Sequence, residues 1–341
     1  MSLFDRLLDA SILFSFDRSG FERHASDFDP DDLRVDLGGR RMLVTGANAG
    51  LGRVAALHLA SLGAEVWLLC RSRERGTAAL DDLRFATGND TLRLEVVDIS
   101  RRDSVRAFAE RLGSRPVDAL IHNAGILPHE RRLVDDGPAE DGFLPHLEST
   151  WATNVVGPHL LTWLLVPNLR AAHEATGRRA RVINVTSGGM YTQKLDLSDI
   201  AWQERDFAGV VAYAQTKRAE VVLTEQWAQR LEPLGIDVVA MHPGWADTGA
   251  VREALPRFHR LMAGRLRDPR QGADTMVWLA AADAAAGHSG RLFFDRRVVD
   301  THLLPGTRAE PWVRERLWTL CREQAGLAAA VAPWHIAERA A

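Results

Sequence analysis

Seven short apolar runs alternate along the chain with segments that have the apolar spacing of an amphipathic helix, and this alternation restricts the fold more than any other feature. The runs cover residues 42–45, 65–70, 92–97, 119–122, 182–186, 236–241 and 292–294. After the third run, for example, Val105, Phe108 and Leu112 follow helical spacing. Strands and helices that alternate in this way form right-handed crossovers and a parallel sheet covered on both faces. The sequence therefore predicts an α/β fold: a doubly wound, Rossmann-like parallel sheet of about seven strands in a single domain.

The alternating pattern divides the chain into three parts. It occupies residues 39–295, which we interpret as the main domain. Residues 1–38 form an N-terminal arm before it, and residues 296–341 form a C-terminal extension after it. No proline- or glycine-rich linker interrupts the pattern, and the sequence has no internal repeat. A chain of 341 residues can bury about three quarters of its unfolded surface, so its core needs no covalent cross-links.

Charge and cysteine content exclude several classes of protein. The 42 basic and 45 acidic residues give a formal net charge of −3, which argues against a protein that binds nucleic acid through massed positive charge. The two cysteines, Cys70 and Cys321, are too few for a disulfide framework or a zinc site. We therefore expect no metal, and the reducing cytoplasm is the expected location.

The first residues of the arm have the spacing of an amphipathic helix. Leu3, Phe4, Leu7, Leu8 and Ile12 recur at helical intervals, and acidic residues lie among them. The segment lacks the basic start and cleavage site of a signal peptide. Docking on the body of the protein or on a partner subunit is the favoured interpretation, and a shallow membrane contact is the alternative.

A glycine-rich turn follows the first run and precedes a helix. Its sequence is TGANAGLG at residues 45–52. Glycines in this position allow a tight turn and let the backbone approach a pyrophosphate, while the helix N-terminus supplies free N–H groups. We expect a dinucleotide to bind here. The residues concerned are Gly46, Asn48, Gly50, Leu51 and Gly52.

The end of the second run indicates which dinucleotide binds. An acidic residue there would bond the ribose 2′-hydroxyl of NAD. The chain instead has Cys70 followed by Arg71, whose guanidinium can pair with a 2′-phosphate. Arg73 is a possible second contact, and ordinary surface arginines are the alternative. The sequence therefore favours NADP and makes residues 39–295 an NADP-binding domain.

Several further motifs occur in an order that resembles the short-chain dehydrogenases/reductases. They are TGANAGLG, Asp98, Asn123-Ala124-Gly125, Asn154, Ser187, Tyr213 with Lys217, and Pro243-Gly244 with Thr248. A narrower resemblance to one member of that family is carried by SGGMYTQKL, YAQTKR, MHPGWADT and QGADTM. The resemblance covers nearly the whole chain and implies a Rossmann-fold oxidoreductase.

Tyr213 and Lys217 can be assigned a chemistry from their spacing. They lie four residues apart, so on a helix they share one face. An adjacent ammonium, together with the positive ring of an oxidised nicotinamide, stabilises a phenolate. Tyr213 can then give a proton to a substrate oxygen during reduction or take one during oxidation. Ser187 can hydrogen-bond the same oxygen. All 42 basic residues except Lys194 and Lys217 are arginine, which suggests that arginine cannot replace Lys217.

The family resemblance implies roles for the remaining motif residues. Asn154 is expected to support a water-mediated proton relay with Lys217, which also holds the nicotinamide ribose. Thr248 is expected near the nicotinamide. The other implied contacts are Asp98 and Ile99 with the adenine, and Asn123, Ala124 and Gly125 with the adenosine ribose. For Asp98, a helix cap is the alternative.

Two segments are candidates for substrate binding. The long loop between Ser187 and Tyr213 would border the substrate. The segment 245–270 is predicted to form a mobile lid, and its apolar residues suggest a lipophilic substrate. They are Trp245, Leu255, Phe258, Leu261 and Met262. Packing of these residues against the C-terminal extension is the alternative.

The function expected from these residues is hydride transfer between NADP(H) and a carbonyl or alcohol substrate. A catalytically silent NADP-binding sensor or scaffold is the main alternative, although such proteins usually lose the tyrosine or lysine. A sugar-nucleotide epimerase or dehydratase is disfavoured by the glycine spacing and by the short C-terminal region. The resemblance implies a homodimer or homotetramer.

Overall fold

The computed structural model describes residues 12–135, 146–303 and 306–334. The strands are β1 (Arg41–Thr45), β2 (Glu65–Cys70), β3 (Arg93–Val96), β4 (Ala119–His122), β5 (Leu133–Asp135), β6 (His146–Glu148), β7 (Ala180–Val185), β8 (Ile236–Met241), β9 (Leu292–Phe294) and β10 (Arg297–Val299). The helices are α1 (Ile12–Phe16), α2 (Arg18–Ala25), α3 (Gly50–Ser61), α4 (Arg73–Thr87), α5 (Arg102–Leu112), α6 (Ser149–Trp151), α7 (Gly157–Thr176), α8 (Gly209–Leu231), α9 (Gly249–Ala254), α10 (Pro256–Leu261), α11 (Pro269–Ala281) and α12 (Pro311–Gln324). A π-helical turn, Ala152–Val156, joins α6 to α7.

The central sheet has the strand order β10-β9-β8-β7-β4-β1-β2-β3. Neighbours from β9 to β3 are parallel, whereas β10 pairs antiparallel with β9. The prediction of a single Rossmann-like domain with a parallel sheet is confirmed, but the sheet has eight strands rather than seven. The missed strand, β10, lies beyond the expected domain end at residue 295 and is only three residues long. The separate β5–β6 hairpin was also missed, because strands of three residues show no periodicity.

Helices cover both faces of the sheet and bury a hydrophobic core on each. One core includes side chains from α3, α4 and α11, and the other includes side chains from α5, α7, α8 and α12. Representative members are Leu59, Leu83 and Met276 in the first core, and Phe108, Leu160, Leu223 and Leu317 in the second. The sequence encodes this arrangement directly, because strands covered on both faces read as continuous apolar runs.

The order of the strands fixes where a ligand can bind. From β1 the chain continues outward through β2 and β3, and then returns to β4 on the other side of β1. Crossover helices on either side of this switch point leave a crevice at the carboxyl ends of β1 and β4. The glycine turn follows β1, and Asn123 follows β4, so both lie at the crevice.

The N-terminal arm packs against the main domain through Phe16. This side chain is 5% exposed and belongs to a small core with Met190, Tyr191 and Phe294. The described part of the arm therefore contacts the main domain, whereas the docking predicted for the N-terminal amphipathic helix stays a prediction. The predicted amphipathic positions Leu3 to Leu8 lie outside the described residues. Within the described ranges, no helix combines the length and apolar character needed to cross a membrane.

Helix α12 of the C-terminal extension packs against α7 and α8. Leu317, Trp318 and Cys321 of α12 are buried in the core formed with α7 and α8. The Trp318 ring lies 4.8 Å from the ring of Trp227 on α8. The extension thus covers the face of the sheet on which α7 and α8 lie.

Candidate active site

A cavity of about 600 Å³ lies at the carboxyl ends of the parallel strands. Most of the predicted site residues line it. These are Gly46, Asn48, Gly50, Leu51, Arg71, Asp98, Ile99, Asn123, Ala124, Gly125, Ser187, Tyr213, Lys217 and Thr248. Gly52 and Asn154 do not line the cavity, because each is buried behind a lining segment. No cluster of three or more His, Cys, Asp or Glu side chains within the described ranges could hold a metal ion.

The glycine turn is shaped so that larger residues would not fit. Gly46 has a φ of +67°, and a Cβ added to it would lie 3.1 Å from the backbone of Ala124. A Cβ on Gly52 would collide with the side chain of Asn123. At the start of α3, Ala49 provides no side-chain cap, so the first N–H groups of the helix are left for a ligand. A pyrophosphate fits this cradle.

Asn123 and Asp98 hold the neighbouring strand ends in place. The Asn123 amide Nδ2 donates to Thr45 O (2.9 Å) and its backbone N–H donates to Thr45 Oγ1 (3.0 Å). The Asp98 carboxylate accepts from the N–H (3.0 Å) and the hydroxyl (2.7 Å) of Ser100. Asp98 therefore stabilises the turn before α5 and also lines the cavity, but it is not the helix cap, because the N-cap residue of α5 is Arg101.

The turn after β2 presents two arginines to the cavity. Arg71 and Arg75 both line it, together with Ser72, which caps α4 by accepting from the backbone N–H of Arg75. Arg73 lies instead at a separate depression beside β3. Arg73, the possible second contact, therefore does not line the cavity, whereas Arg75 does.

Tyr213, Lys217 and Ser187 meet on the opposite wall. Tyr213 and Lys217 project from α8, and Lys217 Nζ lies 5.5 Å from the centre of the Tyr213 ring. Ser187 follows β7 at the start of a 3₁₀ turn, where its Oγ accepts from the N–H of Gly189 (3.3 Å). A Cβ added to Gly189 would lie 3.6 Å from Ser187 Oγ and 3.8 Å from the Cβ of Ala214, next to Tyr213. The serine thus faces the same stretch of α8 as the tyrosine.

Lys217 is held from behind by two acceptors. Its ammonium, on a side chain that is only 4% exposed, donates to Val185 O (2.9 Å) and to Glu220 Oε1 (2.7 Å). Burial lowers the pKa of Lys217, but the Glu220 carboxylate and the Tyr213 hydroxyl outweigh this and raise the pKa above its ordinary value. The ammonium therefore stays charged at the cavity wall.

Asn154 links the loop after β4 to α8. It lies in the π-helical turn, a feature that is frequent at functional sites. Its Oδ1 accepts from Ile126 N–H (3.0 Å) and its Nδ2 donates to Thr216 Oγ1 (3.0 Å). A Cβ on Gly125 would lie 3.4 Å from both Asn154 Oδ1 and Lys217 Nζ. Asn154 is therefore close to Lys217, although Gly125 separates it from the cavity.

Apolar residues from the segment after β8 close another part of the cavity. Trp245, Leu255 and Phe258 line it, as the sequence suggests. Leu261 is 81% exposed and Met262 is buried, and neither lines the cavity. The ring of Trp245 contacts Phe258 (5.3 Å) and Phe16 of the arm (5.9 Å). Trp245 also packs against the small core around Phe16, as does Val299 of the C-terminal extension, so packing against the extension stays the alternative interpretation.

Sequence reasoning missed several residues that shape the site. Phe16 packs against Gly188, beside Ser187, and its carbonyl accepts from the N–H of Trp245 (2.9 Å). No local motif could reveal this contact. Glu220 gives a signal, because it is a carboxylate three residues after Lys217 and directly before the apolar run 221–223. Arg75 could have been found from the expected start of α4.

A family model described as short chain dehydrogenase matches residues 40–257. This span contains the glycine turn and the Ser187, Tyr213 and Lys217 cluster. The chain belongs to the short-chain dehydrogenase family. Members of this family are oxidoreductases with the Rossmann-like fold described above, so the family resemblance of the sequence motifs is confirmed.

The similarity to individual short-chain dehydrogenases extends over most of the chain. The human protein Dehydrogenase/reductase SDR family member 12 is 42% identical over 308 residues, which is 89% of this chain and 92% of that protein. The narrower resemblance is thereby confirmed. Human Retinol dehydrogenase 12 is 33% identical over 86% of this chain and 88% of its own length. A 3-ketoacyl-(acyl-carrier-protein) reductase from Brucella melitensis, solved with NADH, is 25% identical with a TM-score of 0.58, covering 80% of this chain and 99% of that one.

Proposed function

We propose that the protein transfers a hydride between NADP(H) and a lipophilic carbonyl or alcohol substrate, with Tyr213 as the acid/base. The observation that carries this proposal is the buried Lys217 ammonium, 5.5 Å from the Tyr213 ring, in a cavity that also contains the glycine turn. When bound, the cofactor supplies or accepts the hydride. Tyr213 gives or takes the proton, and Ser187 orients the substrate oxygen. Lys217 stabilises the phenolate and binds the ribose, supported by Asn154.

The preference for NADP rests on the turn after β2. Arg71 and Arg75 face the cavity, and β2 ends at Cys70 without a carboxylate to accept from a ribose 2′-hydroxyl. Two guanidinium groups favour a 2′-phosphate, because each can form charge-assisted bonds to its oxygens. The Brucella reductase carries NADH, so the arginines of this chain, rather than that neighbour, support the proposal.

The proposal of a lipophilic substrate rests on the side chains that line the part of the cavity formed by the segment after β8. Trp245, Val251, Leu255 and Phe258 contribute apolar surface there, and Val210 lies at 55% exposure on the opposite side. Such a lining favours a substrate whose carbonyl is attached to a hydrocarbon group. The retinol dehydrogenases among the relatives make retinaldehyde a suitable member of a test panel.

The test is a spectrophotometric assay with purified protein. NADPH or NADH is mixed with retinaldehyde, medium-chain aldehydes and polar ketones, and loss of the reduced nicotinamide is followed. We expect turnover with NADPH and the apolar carbonyls, and none with Tyr213→Phe. NADPH binding without turnover on the whole panel would favour the alternative, a catalytically silent sensor or scaffold.

We also propose a cytoplasmic location and a homodimer or homotetramer. Cys70 and Cys321 are both buried free thiols, which suits a reducing compartment. The family resemblance supports the oligomer. Light scattering after size-exclusion chromatography tests the assembly, and a single species with the mass of one chain, 37.7 kDa, would contradict it.

A further inference from the structure

Glu220 is a buried carboxylate directly behind the reactive pair. It lies on α8 three residues after Lys217, and its side chain is only 9% exposed. Its Oε1 accepts from Lys217 Nζ at 2.7 Å, while Oε2 has no hydrogen-bond partner within the described residues. The shortest contact of the carboxylate is therefore with the lysine of the proposed acid–base pair, and the Thr186 hydroxyl also faces the carboxylate.

The hydrogen bonds of Lys217 show what this contact does. An ammonium has three N–H donors in a tetrahedral arrangement. Two of them are used by Val185 O (2.9 Å) and Glu220 Oε1 (2.7 Å), which come from β7 and from the next turn of α8. In the described part of the chain no acceptor is found for the third N–H, and Lys217 lines the cavity. Glu220 and Val185 thus fix the ammonium so that one donor is left for a bound molecule.

Packing alone does not account for a carboxylate at this position. Taking two charges out of water is costly, and an apolar residue of similar size would satisfy the surrounding core as well or better. The burial of the Glu220–Lys217 ion pair is explained if the charged ammonium of Lys217 is needed in the wall of the cavity. A buried ammonium without an anion tends to lose its proton, and its side chain is then free to move.

We propose that Glu220 is the positioning residue of the acid–base pair: it keeps the Lys217 ammonium charged and in place, and it weakens that hold when it takes up a proton. The effect on turnover rests on the proposed function, whereas the effect on Lys217 itself does not.

The groups around the pair allow this switch to operate near neutral pH. Burial raises the pKa of Glu220 to about 7, although the neighbouring Lys217 ammonium opposes the rise. Tyr213 faces Lys217 from the same helix. From β4, His122 faces the pair as a neutral ring, because burial and the charge of Lys217 lower its pKa to about 3. As the pH falls through about 7, Glu220 becomes neutral and the hold on Lys217 weakens.

The first experiment reads Lys217 directly. The chain has only two lysines, Lys194 and Lys217, so NMR of protein labelled at lysine Cε gives two signals, which Lys194→Arg assigns. Glu220→Gln should move the titration of Lys217 to lower pH by at least about one unit. Glu225→Gln is the matched control, because Glu225 lies on the same helix and pairs with Arg314 (2.7 Å).

The outcomes of this experiment are distinct. An unchanged Lys217 titration in Glu220→Gln, or an equal shift in Glu225→Gln, would overturn the inference. If Glu220→Gln does not fold, Glu220→Asp withdraws the charge by one methylene and should give a smaller shift in the same direction, and no shift would again overturn it. None of these measurements needs a substrate, so the titration of Lys217 can be interpreted even if the proposed function is wrong.

The second experiment measures kcat against pH with NADPH and an accepted aldehyde. In the parent, kcat should fall as the pH drops through about 7. Glu220→Gln should lower kcat about 10- to 100-fold, the cost of a misplaced group, and should remove this acid limb. Glu225→Gln should keep both the rate and the limb. An acid limb that persists in Glu220→Gln would contradict the inference.

Discussion

The two sides of the cavity are built in different ways. The side proposed to bind the cofactor, called the cofactor side, consists of the segments 46–52, 71–75, 98–99 and 123–125, each of which lies at the carboxyl end of a strand of the parallel sheet. The side proposed to bind the substrate, called the substrate side, consists of 187–192 and 245–258, and Phe16 of the arm packs behind it. On the first side, parallel pairing of β1 with β2 and β4 brings short motifs together. On the second, contacts between segments far apart in the sequence are needed.

A buried ion pair contributes to the long-range contacts of the substrate side. Arg267, fully buried, donates to Asp295 Oδ1 (2.6 Å) and to Ser15 O (2.9 Å). His24 Nδ1 contacts the same carboxylate at 2.6 Å. This network fastens the arm beneath the segment that carries Trp245. The proposed cofactor site is therefore encoded by local motifs, whereas the proposed substrate site depends on the complete tertiary structure.

The largest effect is expected where the two sides meet. Lys217→Arg keeps the charge, but a planar guanidinium cannot reproduce the bonds of the ammonium to Val185 O and Glu220. We expect kcat to fall at least about 100-fold, and at least as much for Tyr213→Phe, which should leave NADPH binding largely intact. Single-turnover hydride transfer measures this. Lys194→Arg, at an exposed lysine, is the control, and a Lys217→Arg rate within a few-fold of the parent would leave only an electrostatic role for Lys217.

Phe16→Ala tests whether the arm supports only the substrate side of the cavity and not the cofactor side. Removing this buried ring should cost about 3 kcal/mol of stability and raise KM for apolar substrates, because Trp245 and Gly188 lose a packing partner. The NADPH dissociation constant should not change. Thermal denaturation and a binding titration check both parts, with Phe85→Ala, 94% exposed on α4, as control. A weakened NADPH affinity in folded Phe16→Ala would remove the distinction between the two sides.

Arg71→Ala and Arg75→Ala test the cofactor side. Each should cost about 1.5–3 kcal/mol of NADPH binding, roughly a 10- to 150-fold change in Kd, because a hydrogen bond to a charged group is lost. NADH binding should change little. Arg73→Ala, in the same turn but outside the cavity, is the matched control for calorimetric titration. An equal loss for NADPH and NADH would show that these arginines do not read the 2′-phosphate.

Phe258→Ala gives the smallest expected effect. The partly exposed ring lines the substrate side and contacts Trp245 at 5.3 Å. Its removal should raise KM for a long-chain aldehyde several-fold, or about 1 kcal/mol, without changing NADPH affinity. Leu261→Ala, on the exposed side of α10, should leave KM unchanged. An unaltered KM in Phe258→Ala would place the hydrocarbon group elsewhere in the cavity.

Much of the site was predictable because its chemistry follows local rules. The glycine turn and the Tyr213–Lys217 pair can be read from spacing, since a strand end and one helix face place such residues without help from distant segments. Arg75 and β10 were not predicted. The direction of the Arg75 side chain depends on where α4 begins, and β10 is too short to show the alternating pattern of a strand.

The sequence by itself determined the parallel sheet and the position of the cavity at its carboxyl edge, and it pointed to the proposed acid–base pair, because each depends on periodicity or short spacing. Only the tertiary structure decided how Lys217 is held and what lies behind the substrate. Phe16 contacts Trp245 although more than 200 positions separate them in the sequence. The proposed role of Glu220 depends on the burial of its carboxylate beside Lys217. Burial and long-range packing are properties of the assembled core, and no local pattern specifies them.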